Sequence, residues 1–228
     1  MERFQVSRCE TKRVTTLWTE VSDGKQNKHS FTACRIGCSW PTIAKKAPFF
    51  FVVVGQHWDE LDAAQGYVQL MEFKSEEISP EKFYGKLTDA CEIYHANDVF
   101  VDLSEKKEEY ADGFRTYLSK NRMYKVSLIP APFVADFAFS VGILKDYYSR
   151  GMLDLLEKGE CRSQLKSMTS QDLGESDLET KFYGVNALRM VLAGFHKYAP
   201  ITPDMFYINA KSNLGYHKIT SGDGWMAM

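Results

Sequence analysis

"APFFFVVVGQHW", residues 47 to 58, decides the fold. From Phe49 through Val54 every side chain is aromatic or β-branched, and no polar residue interrupts the run. A strand with one wet face alternates apolar and polar residues, whereas a continuous run marks a strand covered on both faces. The stretch falls well short of the ~20 residues that a membrane span needs. It therefore predicts the centre of a sheet with a layer packed on each side. Two flanking stretches supply its neighbours: "SFTACRIGCSW" (30–40) before it and "GYVQLMEF" (66–73) after it. The connectors "PTIAKK" and "DELDAAQ" are short, so the three strands should form an antiparallel meander.

Beyond residue 78 the periodicity changes. In "SPEKFYGKLTDACEIYHA" (79–96), Ser79 is placed as N-cap and Pro80 at the first helical position, with Phe83, Leu87, Ala90 and Tyr94 on one face. A short strand "DVFVDLS" (98–104), a mostly polar helix (105–121) and a strand "YKVSLIPA" (124–131) follow. The helix "DFAFSVGILKDYYSRGML" (136–153) aligns Phe137, Val141 and Leu144. Residues 155–175 read as loop with a short strand or turn. "DLETKFYGVNALRMVLAGF" (177–195) predicts a closing helix with one buried stripe: Leu178, Phe182, Val185, Leu188, Leu192 and Phe195. Ser176 and Glu179 have capping-box spacing at its start, and Pro200 and Pro203 end it. Residues 1–29 read as a hairpin or an arm that packs on a partner, with "SDGKQNKHS" (22–30) as a turn; 199–228 is a C-terminal tail, in which 204–228 reads as a final hairpin. The expected main domain is 30–198, of mixed α/β class, with the antiparallel meander joined to parallel strands and flanked by helices.

Composition narrows the function. Hydrophobic residues make up 44% of the 228, enough for a large core and too many for a disordered chain. A net charge of −2 announces no global basic field, though a local patch is compatible with it. The N-terminus has no apolar signal core, and a soluble protein with no membrane partner is expected. The five cysteines, Cys9, Cys34, Cys38, Cys91 and Cys161, are irregularly spaced, and no second Cys/His pair completes a zinc site with Cys34 and Cys38. They read as reduced thiols of a cytoplasmic protein. No G-x-x-x-x-G-K-[ST] loop, G-x-S-x-G elbow or H-E-x-x-H pair is present.

The element order matches the RNase H-like fold, and the local wording resembles the nuclease domain of phage terminase large subunits. "RIGCSW" (35–40) resembles the first-strand motif of Gly, one residue, then Asp, with Ser39 at the acidic position. "VFVDLSEKKEEYADGFRTYL" (99–118) resembles the second acidic motif, where a strand ends in Asp, here Asp102. "APFVADFAFSVGILKDYYSRGMLDL" (131–155) resembles the strand, helix and basic-Gly turn that come next. "ETKFYGVNALRMVLAGF" (179–195) resembles the closing helix written around Asp-Ala-Leu-Arg-Tyr, with Asn186 in place of the acid.

The resemblance implies DNA packaging in a phage or prophage context, in the cytoplasm of a bacterial host, with DNA and packaging proteins as partners. It also implies two-metal phosphodiester cleavage using Mg²⁺ or Mn²⁺, which prefer carboxylate oxygens. Here the set Ser39, Asp102 and Asn186 carries one formal charge, with Asp102 as the metal ligand. A nuclease-like domain with weak or lost activity, a pseudoenzyme, is the expectation. One alternative is an active endonuclease with relocated ligands: Asp172, Glu175, Asp177 and Glu179 before the last helix, or Asp59, Glu60 and Asp62 in the turn between strands. Another is a non-catalytic interaction domain on the same fold. In an alternative register at "VVVGQHW", His57 would replace the acid at the first position; Asp102 could also merely cap its helix, a role open to Ser104. Lys45, Lys46, Lys106, Lys107, Lys120, Arg122 and Lys125 could form a basic rim, but Lys106 and Lys107 lie among Glu105, Glu108 and Glu109 and read as a solvated face.

Overall fold

The computed structural model describes residues 4–8, 15–20, 26–31, 33–41, 47–58, 65–75, 79–103, 107–131, 137–174 and 178–195. Strands β1 (Phe4–Arg8), β2 (Thr15–Glu20) and β3 (Gln26–Phe31) form a separate three-stranded antiparallel sheet. The N-terminal hairpin is thus one strand longer than expected, and residues 26–30 are strand rather than turn. The predicted tail at 199–228, Pro200 and the capping Ser176 lie outside the described residues.

The main sheet has six strands: β4 (Ala33–Ser39), β5 (Phe49–Trp58), β6 (Gln65–Ser75), β7 (Asp98–Val101), β8 (Ser127–Pro130) and β9 (Leu153–Asp154). Their spatial order is β8-β7-β4-β5-β6-β9. β4, β5 and β6 are the antiparallel meander, and β7 and β8 extend it in parallel from β4. This is the order of the RNase H-like fold. The two-residue β9, parallel to β6, was not foreseen.

The continuous run in β5 serves two cores. Phe49, Phe51 and Val53 point to one side and Phe50, Val52 and Val54 to the other, all at 0–1% exposure. On the first side lie helices α1 (Pro80–Ile93) and α2 (Glu108–Lys120). Phe83, Leu87, Ala90 and Tyr94 are buried there as the periodicity predicts. Trp40 stacks on Tyr110 at 6.3 Å and meets Phe83, Tyr84 and Phe114 edge-on. Each aromatic side chain so buried contributes ~1.5–3 kcal/mol of transfer free energy. Four cysteines, Cys34, Cys38, Cys91 and Cys161, are buried. Burial pushes the Cys91 thiol up to about 12 and raises those of Cys38 and Cys161.

On the second side lie α3 (Phe137–Ser149), α4 (Glu160–Ser167), α5 (Leu178–Lys181) and α6 (Tyr183–Phe195). Helix α4 falls where a loop was expected. Its N-cap is Gly159, which has no side chain to offer, and the cap comes from a distant strand. The Glu72 carboxylate on β6 accepts hydrogen bonds from the Glu160 N–H at 2.6 Å and the Cys161 N–H at 3.2 Å. An anion at a helix start both satisfies orphan donors and complements the dipole.

The closing helix differs from its predicted form in two ways. It breaks at Phe182 into α5 and α6. And α6 is buried on every side from Gly184 through Phe195, not along one stripe, because it lies between the sheet and the smaller helices. It sits unusually close to β4. A Cβ built on Gly37 would lie 2.0 Å from the Ala187 carbonyl oxygen and 2.8 Å from the Val191 nitrogen, both backbone atoms. Gly194, at the other end of α6, lets the Phe100 ring approach in the same way.

Gly37→Ala should therefore cost about 3 kcal/mol in urea unfolding, at the upper end of overpacking effects. Gly142→Ala, in α3 with nothing within 4 Å of the new carbon, should instead gain about 0.5–1 kcal/mol from helix propensity.

Candidate functional site

The alternation of a strand fixes which residues face α6. On β4, Arg35, Gly37 and Ser39 share that face, while Cys34, Ile36 and Cys38 enter the opposite core. On β7, Val99 and Val101 likewise face α1 and α2, leaving Phe100 and Asp102 toward α6. β4 and β7 are in parallel register at Gly37↔Phe100 and Cys38↔Val101, so the next step sets Ser39 beside Asp102 at the carboxyl ends of both strands. At the other end of the face, the Arg35 guanidinium donates to the Gly194 carbonyl at 2.8 Å and lies over the Phe195 ring.

Asn186 projects from α6 toward this pair. Its amide donates to Ser39 Oγ at 3.0 Å, joining the first and last positions of the predicted set. Its carbonyl oxygen accepts from Arg189 Nε at 2.7 Å. Arg189 also reaches Ser140 Oγ on α3 at 3.4 Å and Glu179 Oε1 on α5 at 3.2 Å, and stacks over the Phe137 ring at 4.5 Å. Asp102 completes the cluster from the sheet side. Its Oδ2 accepts from Lys107 Nζ at 2.6 Å, and the same ammonium donates to Glu179 Oε2 at 2.5 Å.

A chain of side chains thus runs Ser39, Asn186, Arg189, Glu179, Lys107, Asp102. Ser39, Asn186, Arg189, Asp102 and Lys107 are all buried, and the cluster meets solvent through Glu179, whose side chain is 35% exposed. Among the described residues it contains two carboxylates and two cations, whose formal charges balance.

Two features escaped the sequence reading. Lys107 is not part of a solvated face: its side chain is 3% exposed, at the N-cap position of α2. A cation at a helix start opposes the dipole, which is the signal that it answers to something else. Arg189, three residues after Asn186, shares its helical face and could have been read from that spacing. Glu179 does reach the site, as one relocation alternative held. Its neighbour Asp172 is bound elsewhere: it is half-buried beside Lys181, and its carboxyl is held well below the usual range by hydrogen bonds from Lys181 and then Thr169. Glu175, Asp177, Asp59, Glu60, Asp62, Ser104, Lys45, Lys46, Lys106 and the side chain of His57 lie outside the described residues.

Of the expected basic rim, the described members lie apart: Lys107 points into the cluster, and Lys120, the last residue of α2, with Arg122 and Lys125 beyond it, is carried ~20 Å from Asp102 by the 13 residues of the helix.

These residues do not fit a two-metal centre. Hard divalent ions want several free oxygen ligands, mostly carboxylate. Here Asp102 Oδ2 and Glu179 Oε2 are held by an ammonium, Glu179 Oε1 by a guanidinium, and Ser39 and Asn186 are neutral and bonded to each other. Among the described residues no group of three or more His, Cys, Asp or Glu could hold a metal ion. No helix among them is long and apolar enough to cross a membrane.

Two of the solved structures similar to the chain are nuclease domains. The large-terminase nuclease domain of bacteriophage SPP1, with bound Mn, aligns at 13% identity and TM-score 0.46 over 72% of this chain and 88% of that one. The large-terminase nuclease of the thermophilic phage G20c, with bound zinc, aligns at 15% identity and TM-score 0.47 over 87% and 94%. No protein-family model matches the chain, and no curated protein does.

Removing one member of the buried ion pair leaves the other uncompensated. Lys107→Ala should cost about 3–5 kcal/mol, whereas the double variant Lys107→Met/Asp102→Asn should cost less than the single. Chemical unfolding of the two side by side measures the difference.

Proposed function

We propose that this chain is a nuclease-like domain of the phage large-terminase kind that serves DNA packaging without cutting DNA. One observation carries the second half of that reading: the Lys107 ammonium stands between Asp102 and Glu179, where a hydrolytic centre would hold a divalent ion. Support for the first half comes from the sequence order of the four motif stretches, laid on a sheet of RNase H-like order with Ser39, Asp102 and Asn186 converging at one end.

Metal-assisted phosphodiester hydrolysis needs an ion with open coordination positions, one to hold and deprotonate a water and one to stabilise the leaving oxygen. An ammonium has no such positions. It offers three donors, and Asp102 and Glu179 take two of them. Nor do the described residues of the cluster include a spare general base. Asn186 and Ser39 cannot accept a proton from water at neutral pH, and both carboxylates are held by cations. What remains is a rigid polar plug that ties β4, β7, α2, α5 and α6 together. In this reading the domain works in the cytoplasm of a bacterial host, as a docking element for DNA or for packaging proteins.

A plasmid-nicking assay with Mn²⁺, on the wild type and on Asp102→Ala, tests the reading. No cleavage is expected from either at high protein and metal concentration. Nicking by the wild type that Asp102→Ala abolishes would overturn it and establish an endonuclease with relocated ligands.

A further inference from the structure

We propose that Lys107 is a tethered replacement for a divalent cation, and that removing its side chain uncovers a cation site formed by Asp102 and Glu179. This deepens the reading above and rests on it for the ancestry of the site. Its geometry stands independently.

Three features of the cluster point this way. The Lys107 nitrogen lies 2.6 Å from one carboxylate and 2.5 Å from another, and the two come from different elements: the end of β7 and helix α5. Two carboxylates from different elements repel each other unless a cation or a shared proton stands between them, and here the Lys107 ammonium does. Second, the position is poor for a lysine on local grounds. It is the N-cap of α2, makes no side-chain cap bond and sets a positive charge against the positive end of the helix dipole. The carboxylates, not the helix, account for the residue. Third, the outer contacts are of the kind that orient metal ligands. Arg189 holds Glu179 by its Oε1 and leaves Oε2 aimed at the nitrogen, and the same Arg189 is itself fixed by Asn186.

The ligand class follows from the donors. Two carboxylate oxygens with room for water favour a hard divalent ion such as Mn²⁺ or Mg²⁺ over zinc, which prefers nitrogen and sulfur. Cys38, the nearest thiol in sequence to Ser39, faces the opposite core and is kept protonated by burial. Truncating Lys107 to Ala removes both the charge and most of the side-chain volume between the carboxylates, making space for an ion and its waters.

The experiment is thermal unfolding of the wild type and of Lys107→Ala, each in EDTA and in millimolar Mn²⁺. The wild type should melt at the same temperature in both. Lys107→Ala should melt lower in EDTA and rise by roughly 5–10 °C in saturating Mn²⁺, the shift expected for a ligand at about a hundred times its Kd on a domain of this size. Adding Asp102→Asn to Lys107→Ala should remove that rise. Lys107→Gln, which keeps length and a donor amide, is measured alongside in case the alanine variant folds poorly. Recovery of folded Lys107→Ala only when Mn²⁺ is in the refolding buffer would support the proposal. Equal melting in EDTA and Mn²⁺ for both variants, misfolding of both regardless of Mn²⁺, or a wild-type rise as large as the variant's would each overturn it. None of these readouts involves DNA cleavage, so a failure here is distinct from a failure of the functional reading.

Discussion

The backbone contact between β4 and α6 sets the rest of the structure. Gly37 has no Cβ, and the Ala187 carbonyl occupies the space one would need. This brings helix and sheet closer than ordinary side-chain packing permits, and it fixes the helix along its own axis as well as across the sheet. Two residues beyond Gly37 on the same face is Ser39, and one residue before Ala187 is Asn186. Their 3.0 Å hydrogen bond is a direct consequence of the contact. The rest of the cluster then follows from helical geometry: Arg189 lies one turn along α6, and Glu179 lies on the short helix that feeds it. At the far end, Gly194 against Phe100 and Arg35 against the Gly194 carbonyl hold the helix at a second point. A helix pinned at both ends over a sheet whose centre is dry on both faces has little freedom to reposition polar groups. Any charge delivered to its start must find its partner there.

That constraint explains why the cluster is balanced. Burying a carboxylate costs several kcal/mol unless opposite charge and hydrogen bonds return the loss. Asp102 is held at the end of a central strand by β7 and cannot retreat to water. A buried ion pair is in general weak evidence for net stability, since a well-packed apolar pair can do as well. Its stronger effect is on specificity, because the charged groups match in only one arrangement of the elements. Here five elements, β4, β7, α2, α5 and α6, each contribute at least one member. Loss of register in any one of them strands a charge.

The sequence made the sheet legible because its signals are local. The unbroken apolar run of β5 requires cover on both faces, and α1 announces itself through Pro80 and the spacing of Phe83, Leu87 and Ala90. Ser39, Asp102 and Asn186 were singled out by the resemblance of their stretches to terminase nuclease motifs, and no local signal alone marks them. The features that stayed hidden depend on partners far away in the chain. Helix α4 starts at a glycine and takes its cap from Glu72, so no start signal exists in its own residues. Strand β9 has two residues and owes its pairing to the edge of β6. Lys107 sits in a run of alternating charges that on average marks a wet surface, and its neighbours Glu108 and Glu109 do lie in the exposed-to-partly-exposed first turn. Its direction inward is decided by two carboxylates, one of them 72 residues away, which no local pattern encodes.

A lysine and a metal ion answer the same electrostatic demand in different ways, and the difference bears on what such a domain is suited to do. A diffusible ion stabilises its site only to the extent that its concentration exceeds its dissociation constant, and it brings exchangeable waters that make chemistry possible. A tethered ammonium is present at all times and brings no water. Neutrality is then built into the chain, and such a fold needs no metal supply, unlike metal-held domains. The Ser39–Asn186 pair fits this account: with no metal charge to balance, a neutral hydrogen bond holds β4 to α6 where charged ligands would repel each other. The residue types at positions 39, 107 and 186 are therefore coupled. A carboxylate placed at Ser39 alone would add a buried negative charge to a cluster whose described charges already balance, and would be tolerated only if Lys107 gave way to a cation of higher charge.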